Sequence, residues 1–381
     1  MLPSSVYEEL GLGSIREKVL AGERLSLEEG LRLFECPDLL AVGALAHHVR
    51  TRLHGWTTYY VVNQHINYSN ICVNGCRFCA FSRRKGQPGA FELTVDQILE
   101  KVRERLHDPI TEIHIVGGCH PDLRLETFER LLSAIRRIRP DVRLKAFTAV
   151  EIAHFARLEG LSTRQVLERL RAAGLDMLPG GGAEVFSPRI RGLLCPEKLS
   201  GEGWLQVVRE AHELGIKTNA TMLFGHKETL QERLEHLDAL RRLQDETAGF
   251  VCFIPLPFQP HNTKVDDARG TTGVEELKTI AVSRLMLDNI PHLKAYWVML
   301  TVKLAQVALH FGADDLDGTV VEEKIGHMAG ADSEQALTRW ELERLIAEAG
   351  FEPVERDSFF EKVSGERGGA NADTAKERGA A

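Results

Sequence analysis

The feature that most constrains the fold is an alternation of short β-rich runs with longer amphipathic segments, which begins near residue 57. Such alternation is typical of a parallel α/β architecture. We predict about eight strands, at 59–62 continuing toward Ile66, 112–116, 143–147, 176–178, 217–223, 249–254, 294–298 and 314–316. Helices are predicted between them at 95–106, 125–138, 163–173, 204–214, 230–243 and 274–288. Eight strands would close a (β/α)8 barrel of the TIM type, whereas six would leave an open partial barrel.

The segments flanking the barrel have different patterns. Residues 1–56 are charged and periodic, which predicts an N-terminal helical cap before a barrel at 57–330. Residues 331–363 predict a short C-terminal helical extension, with an amphipathic helix at 337–351. Residues 364–381 contain only small and polar side chains, so they cannot bury enough apolar surface to fold and are predicted to be disordered.

Composition narrows the class of protein. The chain has 381 residues, with 47 lysines and arginines against 55 aspartates and glutamates, a net charge of −8. Without a strongly basic block, a nucleic-acid partner is not expected. The N-terminus lacks the basic start and apolar run of a signal peptide, so neither secretion nor membrane attachment is expected. Seven cysteines without disulfide-framework spacing indicate a reducing cytoplasm.

Three of those cysteines, Cys72, Cys76 and Cys79, stand in one run of the sequence, 72–79. Three thiolates bound to a [4Fe-4S] cluster would leave one iron free for another ligand. A structural zinc site is the alternative, with His65 or a distant cysteine as fourth ligand, because such sites usually close a four-ligand shell. The spacing alone leaves both possibilities open.

Unusual residues follow the ends of the predicted strands, where active sites of α/β barrels lie. Gly117 and Gly118 follow the second strand, and glycines there would let main-chain groups approach a small zwitterion. Glu151 follows the third strand, and its carboxylate is suited to accept hydrogen bonds from two ribose hydroxyls. An ordinary glycine turn and a solvated loop glutamate are the alternatives.

Phe78, between the second and third cysteines, completes a C-x3-C-x2-C pattern that resembles the radical S-adenosylmethionine (SAM) superfamily. The resemblance implies that the three cysteines hold a [4Fe-4S] cluster whose open iron chelates the amino and carboxylate groups of SAM. It also implies SAM-binding roles for Phe78 near adenine, Gly117 and Gly118 at the methionyl ammonium, Glu151 at the ribose and Gly225 on the adenine side.

A finer resemblance covers about residues 63 to 330. The segments 63–70, 117–122, 179–184 and 224–226 resemble enzymes of menaquinone synthesis by the futalosine route and of deazaflavin synthesis. Within that group, the segment 145–152, His65 and the segment 314–325 most resemble the aminofutalosine synthases. Cys119 and Phe91 depart from that pattern, at positions where leucine and tyrosine are expected.

This resemblance implies a mechanism. A flavodoxin or ferredoxin reduces the cluster, SAM is cleaved and consumed, and the 5'-deoxyadenosyl radical adds to 3-[(1-carboxyvinyl)oxy]benzoate. Rearrangement with decarboxylation then gives 6-amino-6-deoxyfutalosine. His65, His226 and Glu184 are the implied catalytic residues. The two substrate carboxylates need donors, for which the candidates are His65, His120, His226, Arg189 and Arg191. Cyclic dehypoxanthine futalosine synthase, deazaflavin synthase and a non-enzymatic Fe-S or zinc protein are the alternatives.

Overall fold

A computed structural model describes residues 2–267, 269–320 and 323–363 of the protein. Its strands are β1 Thr57–Val61, β2 Asn63–Asn67, β3 Glu112–Val116, β4 Arg143–Ala146, β5 Met177–Leu178, β6 Lys217–Phe224, β7 Phe250–Pro257, β8 His292–Leu293, β9 Asp315–Gly318 and β10 Glu352–Glu355. Strands β2 to β8 form one parallel sheet in chain order, and β10, β1 and β9 form a second.

The two sheets close into one barrel. β1 and β2 are consecutive halves of the first strand, since β1 pairs with β9 and β10 while β2 pairs with β3. A bridge between Lys294 and Asp315 joins the end of β8 to β9. Within the described residues, eight strand positions therefore surround the interior, and the predicted (β/α)8 architecture is confirmed.

Some helices precede the barrel in the sequence, and others alternate with its strands and cover its outside. They are α1 Ser4–Glu9, α2 Gly13–Ala21, α3 Leu27–Glu35, α4 Leu39–His54, α5 Val95–Glu104, α6 Leu125–Ile138, α7 Ala149–Glu159, α8 Thr163–Ala172, α9 Pro188–Leu194, α10 Gly201–Glu213, α11 Leu230–Thr247, α12 Gly273–Met286, α13 Trp297–Leu300, α14 Val302–Ala308, α15 Ile325–Met328 and α16 Arg339–Glu348. The first four precede the barrel, and α3 and α4 pack against α12.

Local sequence patterns explain why these segments are helical and where they begin. In α6, the buried side chains Phe128, Leu131, Leu132 and Ile135 recur at helical spacing and form one apolar face. Helix α7 begins with a capping box, in which the Thr148 side chain accepts from the Glu151 amide and Glu151 accepts from the Thr148 amide. Because Thr148 follows the end of β4 after one residue, this box places Glu151 at the C-terminal end of the strands.

Two expectations need correction. The strand predicted at 294–298 is wrong, because β8 ends at Leu293 and residues Trp297–Leu300 form helix α13. A short apolar run fits either conformation, and here the indole of Trp297 donates to Gly318 O at 3.0 Å. The C-terminal extension also contains a strand that the periodicity does not predict, β10, which pairs with β1.

The remaining predicted elements agree with the structure to within a few residues at most ends, and β3 and α6 agree at both ends. The predicted disordered tail, 364–381, and residues 321 and 322 of the segment 314–325 lie outside the described residues. How the chain divides into domains stays a prediction. No helix in the described ranges combines the length and apolar character needed to cross a bilayer.

Candidate active site

A cavity of about 340 Å³ opens at the C-terminal ends of the strands and extends into the barrel. Its outer half contains the three motif cysteines, Phe78, Gly117, Gly118, Glu151 and Glu184. Its inner half contains His65, His114, Lys145, Asn219 and Lys294. All the predicted cluster, SAM-binding and catalytic residues line this cavity except Gly225 and His226. Barrel interiors are usually filled by bulky aliphatic side chains, so the polar inner half is the part that requires a functional explanation.

Main-chain hydrogen bonds hold the cysteine loop against neighbouring segments. The Cys72 amide donates to Arg83 O at 2.9 Å, and the Arg77 amide donates to Leu194 O at 2.8 Å. Within the loop, the Cys79 amide donates to Cys76 O at 3.2 Å. The three thiols are half-buried and share the cavity wall.

The spacing of the thiols argues against a single zinc ion. In a tetrahedral zinc site with Zn–S bonds of about 2.3 Å, sulfur atoms lie about 3.8 Å apart. Among the described residues, the one group of three potential ligands whose donor atoms all lie within 4.8 Å is His54, His292 and Asp314, which does not include the loop cysteines. The wider spread of the three thiols fits a multi-iron cluster better.

Two further thiols lie beside the loop. Cys119 shares a hydrogen bond with Cys72, and the Asn74 side-chain amide donates to Cys119 Sγ at 3.6 Å. This thiol contact, with backbone donors, lowers the pKa of Cys72 to about 6, and the thiolate is the form that binds metal. The contact between Cys76 and Cys195 acts in the opposite sense, because it raises the pKa of Cys76 above its usual range and lowers that of Cys195 to about 7. Three thiols on one loop nevertheless fit a [4Fe-4S] cluster held by Cys72, Cys76 and Cys79.

The glycine pair packs where no side chain fits. A Cβ on Gly117 would run into the ring of Tyr68, and one on Gly118 would overlap Ile71 O. Their main chain can therefore approach both the segment that follows β2 and the cavity closely. This observation explains why glycine is required at both positions on packing grounds alone, independently of any ligand.

Glu151 is buried and bonded on both oxygens. Oε1 accepts from Tyr68 Oη at 2.8 Å and from the Gly117 amide at 3.1 Å. Oε2 accepts from the Thr148 amide at 2.7 Å and from its hydroxyl at 2.8 Å. Burial nevertheless raises the pKa of Glu151 to about 7. Since a carboxylate has about four acceptor positions, a ribose hydroxyl would have to displace one of these donors.

Glu184 pairs with a lysine that the sequence did not single out. Lys198 Nζ binds Glu184 Oε1 and lies 5.3 Å from the centroid of the Phe78 ring. Burial opposes the charge, but the carboxylate of Glu184 and the nearby thiols of Cys76 and Cys195 raise the pKa of Lys198 above its usual range. A permanent positive charge therefore stands beside the cysteine loop.

Gly225 and His226 lie outside the cavity lining, in a separate polar cluster after β6. Gly225 has a φ of +88° and donates its amide to Glu228 Oε1 at 2.5 Å. His226 Nδ1 lies 2.8 Å from Glu228 Oε2, and His226 Nε2 is buried with no hydrogen-bond partner among the described residues. Burial raises the pKa of Glu228, but hydrogen bonds and the charges of His226 and Arg233 outweigh it and lower that pKa to about 2.

Most other candidates for binding the substrate carboxylates are occupied elsewhere. His120 Nε2 lies 2.9 Å from Glu92 Oε2, Arg189 forms a bidentate pair with Glu232, and Arg191 donates to Ala183 O at 2.7 Å. They lie outside the cavity lining, unlike His65.

Sequence reasoning missed His114, Lys145, Asn219 and Lys294. The signal was present in two cases, since His114 is the polar residue in the middle of the run Glu-Ile-His-Ile-Val of β3 and Lys145 interrupts β4. Alternation along a strand places such residues on the barrel's inner face. Asn219 and Lys294 gave no comparable pattern.

Family models match most of the chain. The model described as the radical SAM superfamily matches residues 66–240, and the one described as the CofH/MqnC C-terminal region matches residues 247–365. The first match contains the cysteine loop, the glycine pair and Glu151. The second contains β7 to β10 and therefore Lys294.

Curated relatives are similar over nearly the whole chain. An aminodeoxyfutalosine synthase from Thermus thermophilus is 50% identical over 92% of this chain and 95% of its own, and one from Streptomyces coelicolor is 43% identical over 91% and 92%. A 5-amino-6-(D-ribitylamino)uracil–L-tyrosine 4-hydroxyphenyl transferase from Methanoculleus marisnigri is 41% identical over 89% and 94%.

Solved structures confirm the fold. Methylornithine synthase (PylB) superposes with a TM-score of 0.72 at 18% identity, over 89% of this chain and 96% of its own. The FeFe-hydrogenase maturase HydG from Carboxydothermus hydrogenoformans gives 0.71 at 19% identity, over 93% and 81%. With the cysteine loop in the cavity and relatives of up to 50% identity, the chain belongs to the radical SAM superfamily of enzymes, whose members use a [4Fe-4S] cluster and SAM.

Proposed function

We propose that this enzyme is an aminodeoxyfutalosine synthase, which joins the 5'-deoxyadenosyl group of SAM to 3-[(1-carboxyvinyl)oxy]benzoate with loss of a carboxylate. The observation that carries the proposal is a single cavity with three thiols at its outer end and a polar inner end. The choice of substrate is supported by the relatives from Thermus and Streptomyces, which carry this activity in their names.

In this proposal Cys72, Cys76 and Cys79 would hold the cluster, and the bound cluster would pass to SAM an electron received from a flavodoxin or ferredoxin. Phe78 and the main chain of Gly117 and Gly118 line the proposed SAM site. Lys198 adds a positive charge near the thiolates, which offsets part of their mutual repulsion. We further propose that Glu151 orients the SAM ribose, and that Gly225 and His226 shape its adenine end from behind the cavity wall.

Glu184 and His65 occupy opposite parts of the cavity in this scheme. Glu184 is held by Lys198, so its carboxylate is fixed and ionised beside the SAM site. His65 lies at the inner end, where the aromatic substrate would enter the barrel. The walls between them include Leu223, Ile254 and other apolar side chains, which would exclude water from a radical.

The test is anaerobic reconstitution followed by two assays. With dithionite, the protein should cleave SAM to methionine, and with the carboxyvinyloxybenzoate it should form 6-amino-6-deoxyfutalosine, detected by mass spectrometry. A colourless protein with one tight zinc and no SAM cleavage would contradict an enzymatic role. If only free 5'-deoxyadenosine formed while a futalosine derivative was cyclised, the protein would be the cyclase. Turnover of tyrosine with a ribitylaminouracil would instead indicate a deazaflavin synthase.

Cysteine variants provide the matched control. Cys76→Ala should abolish both the visible absorbance of the reconstituted cluster and turnover. Cys36→Ala should keep both, because Cys36 is buried at the end of α3, outside the cavity lining.

A further inference from the structure

Three side chains form a row across the inner end of the cavity. Strand pairing sets His65 on β2 opposite His114 on β3, and His114 opposite Lys145 on β4. Residues paired at one level of a parallel sheet point to the same side, and all three line the cavity. Since neighbouring strands lie about 4.8 Å apart, the row presents nitrogen atoms along roughly 10 Å of the wall.

The hydrogen-bonding capacity of this row is only partly used. The rings of His65 and His114 lie with centroids 4.5 Å apart. His65 Nε2 lies 3.3 Å from the Asn63 side-chain amide, whereas His114 Nε2 is buried and has no hydrogen-bond partner among the described residues. Lys145 Nζ pairs with Glu112 Oε1 at 2.6 Å, and an ammonium has three donors.

The charges around His114 explain why an anion would be accepted there. Burial, then His65, Lys145 and Lys294, keep the pKa of His114 well below its ordinary value, and Glu112 opposes them. The histidine is therefore neutral in the free enzyme at neutral pH. A carboxylate arriving beside it would meet Lys145 and could share a proton with the imidazole.

The other lysine of the inner end is less available. Lys294 Nζ binds Asp317 and lies 3.8 Å from Asp315 Oδ1, so two carboxylates already compete for its charge. Among the residues that the structure describes, Lys145 has one carboxylate within ion-pair distance, Glu112, which stands one level deeper on the neighbouring strand. Burial lowers the pKa of Lys145, whereas the two aspartates outweigh burial and raise that of Lys294. The row on β2, β3 and β4 is thus the better anion site by its available donors and not by its net charge.

We propose that His65, His114 and Lys145 bind the ring carboxylate of the aromatic substrate. This inference rests on the proposed function, in which the vinyl carbon must face the cysteine end to meet the 5'-deoxyadenosyl group. The ring carboxylate lies on the other side of the molecule and is directed inward, where a buried carboxylate needs charged or donor partners.

The test compares two ligands on two enzymes. The ligands are 3-[(1-carboxyvinyl)oxy]benzoate and its analogue with hydrogen in place of the ring carboxylate. Binding is measured by anaerobic calorimetry on cluster-loaded enzyme with SAM and without reductant, so that no turnover occurs. The wild type should prefer the dicarboxylate by roughly 10- to 100-fold, as expected for hydrogen bonds to a charged group.

His114→Phe should erase most of that preference while SAM binding stays unchanged. The phenyl ring keeps the shape, and no bond to Nε2 within the described residues is lost. His107→Phe, at an exposed histidine, is the control and should keep the preference. If His114→Phe does not fold, Lys145→Met combined with Glu112→Gln removes the donor and its buried counter-charge together. A preference absent from the wild type, or retained in the folded variants, would overturn the proposal.

Two further measurements separate this inference from the proposed function. If the wild type converts the dicarboxylate but the variants keep its preference, the function stands and the row does not bind the ring carboxylate. If the wild type makes no product yet binds plain benzoate in a manner that requires His114, the row stands and the function is wrong. If the wild type makes no product and its binding of benzoate is absent or independent of His114, both the proposed function and the role of the row are refuted.

Discussion

Replacing Glu151 by glutamine should change the pH dependence of stability in a defined direction. Burial raises the pKa of Glu151 from 4.5 to about 7 in the folded protein, despite the four donors that face its oxygens. A group whose pKa is higher when folded stabilises the protein below its unfolded pKa. That contribution is lost as the pH rises through the folded pKa.

The magnitude follows from the two pKa values. Ionising Glu151 in the folded state costs about 3 kcal/mol more than in the unfolded chain. Part of that cost is already present at pH 5.5, so about 2 kcal/mol should be lost between pH 5.5 and pH 8. Glutamine at this position cannot ionise. Its destabilising effect should be independent of pH, because the NH2 group that replaces one carboxylate oxygen cannot accept the hydrogen bonds donated to that oxygen.

The assay is urea denaturation of cluster-free protein under reducing conditions at both pH values. The free energy of unfolding of the wild type, minus that of Glu151→Gln, should fall by about 2 kcal/mol as the pH rises. Glu232→Gln is the matched control, since Glu232 holds the same capping-box position in α11 but Arg189 lowers its pKa to about 2. The free energy of unfolding of the wild type, minus that of Glu232→Gln, should not change between pH 5.5 and pH 8. A flat difference for Glu151→Gln as well would refute the reasoning, because it would mean that the four donors keep the carboxylate ionised throughout.

Three further perturbations test other parts of the site. Gly225→Ala should lower the melting temperature, because φ is +88° and the new Cβ would clash with the Thr271 methyl; adding Thr271→Ser should restore the steric part but not the backbone cost of about 1 kcal/mol. Lys198→Met should lower the free energy of unfolding by about 3 to 5 kcal/mol by stranding Glu184, and the double variant with Glu184→Gln should recover most of it. Binding of the dicarboxylate should take up protons, measured by calorimetry in buffers of different ionisation enthalpy, and its affinity should weaken as the pH rises; His114→Phe should abolish the uptake.

The fold could be predicted from the sequence wherever local patterns and packing agree. Strand β3 and helix α6 were placed at both ends because apolar residues recur at strand and helix spacing, respectively. Strand β10 could not be found this way, since its pairing of Glu352 with Thr57 depends on a contact between distant parts of the chain. The run 294–298 failed because its apolar residues fit a strand or a short helix equally well.

The same distinction between local sequence patterns and contacts between distant residues applies to the site. The cysteine loop and the glycine pair are contiguous in sequence, so their chemistry can be interpreted before the fold is known. The contact between Cys119 and Cys72, and the alignment of His65 with His114, arise only when neighbouring strands come into register. Ion pairs between distant residues also decide which side chains are available to bind a ligand. His120, for example, is paired with Glu92 and lies outside the cavity lining.

The C-terminal segment supports the inner end of the cavity from below. Ser358 Oγ donates to Glu112 Oε2 at 2.7 Å, and the other oxygen of Glu112 binds Lys145. Arg356 Nε donates to Asp315 Oδ2 at 2.7 Å, on the strand that carries Asp317, the partner of Lys294. Lys145 and Lys294 are therefore linked, through a buried carboxylate or its strand, to residues that follow β10. Because a buried ion pair is favourable only when its remaining hydrogen bonds are satisfied, the segment after β10 helps to set the shape of the inner end of the cavity, to which we assign the aromatic substrate. The cysteine end, by contrast, is built from loops after β2 to β5. In the proposed function, radical formation and substrate binding therefore belong to different parts of one barrel.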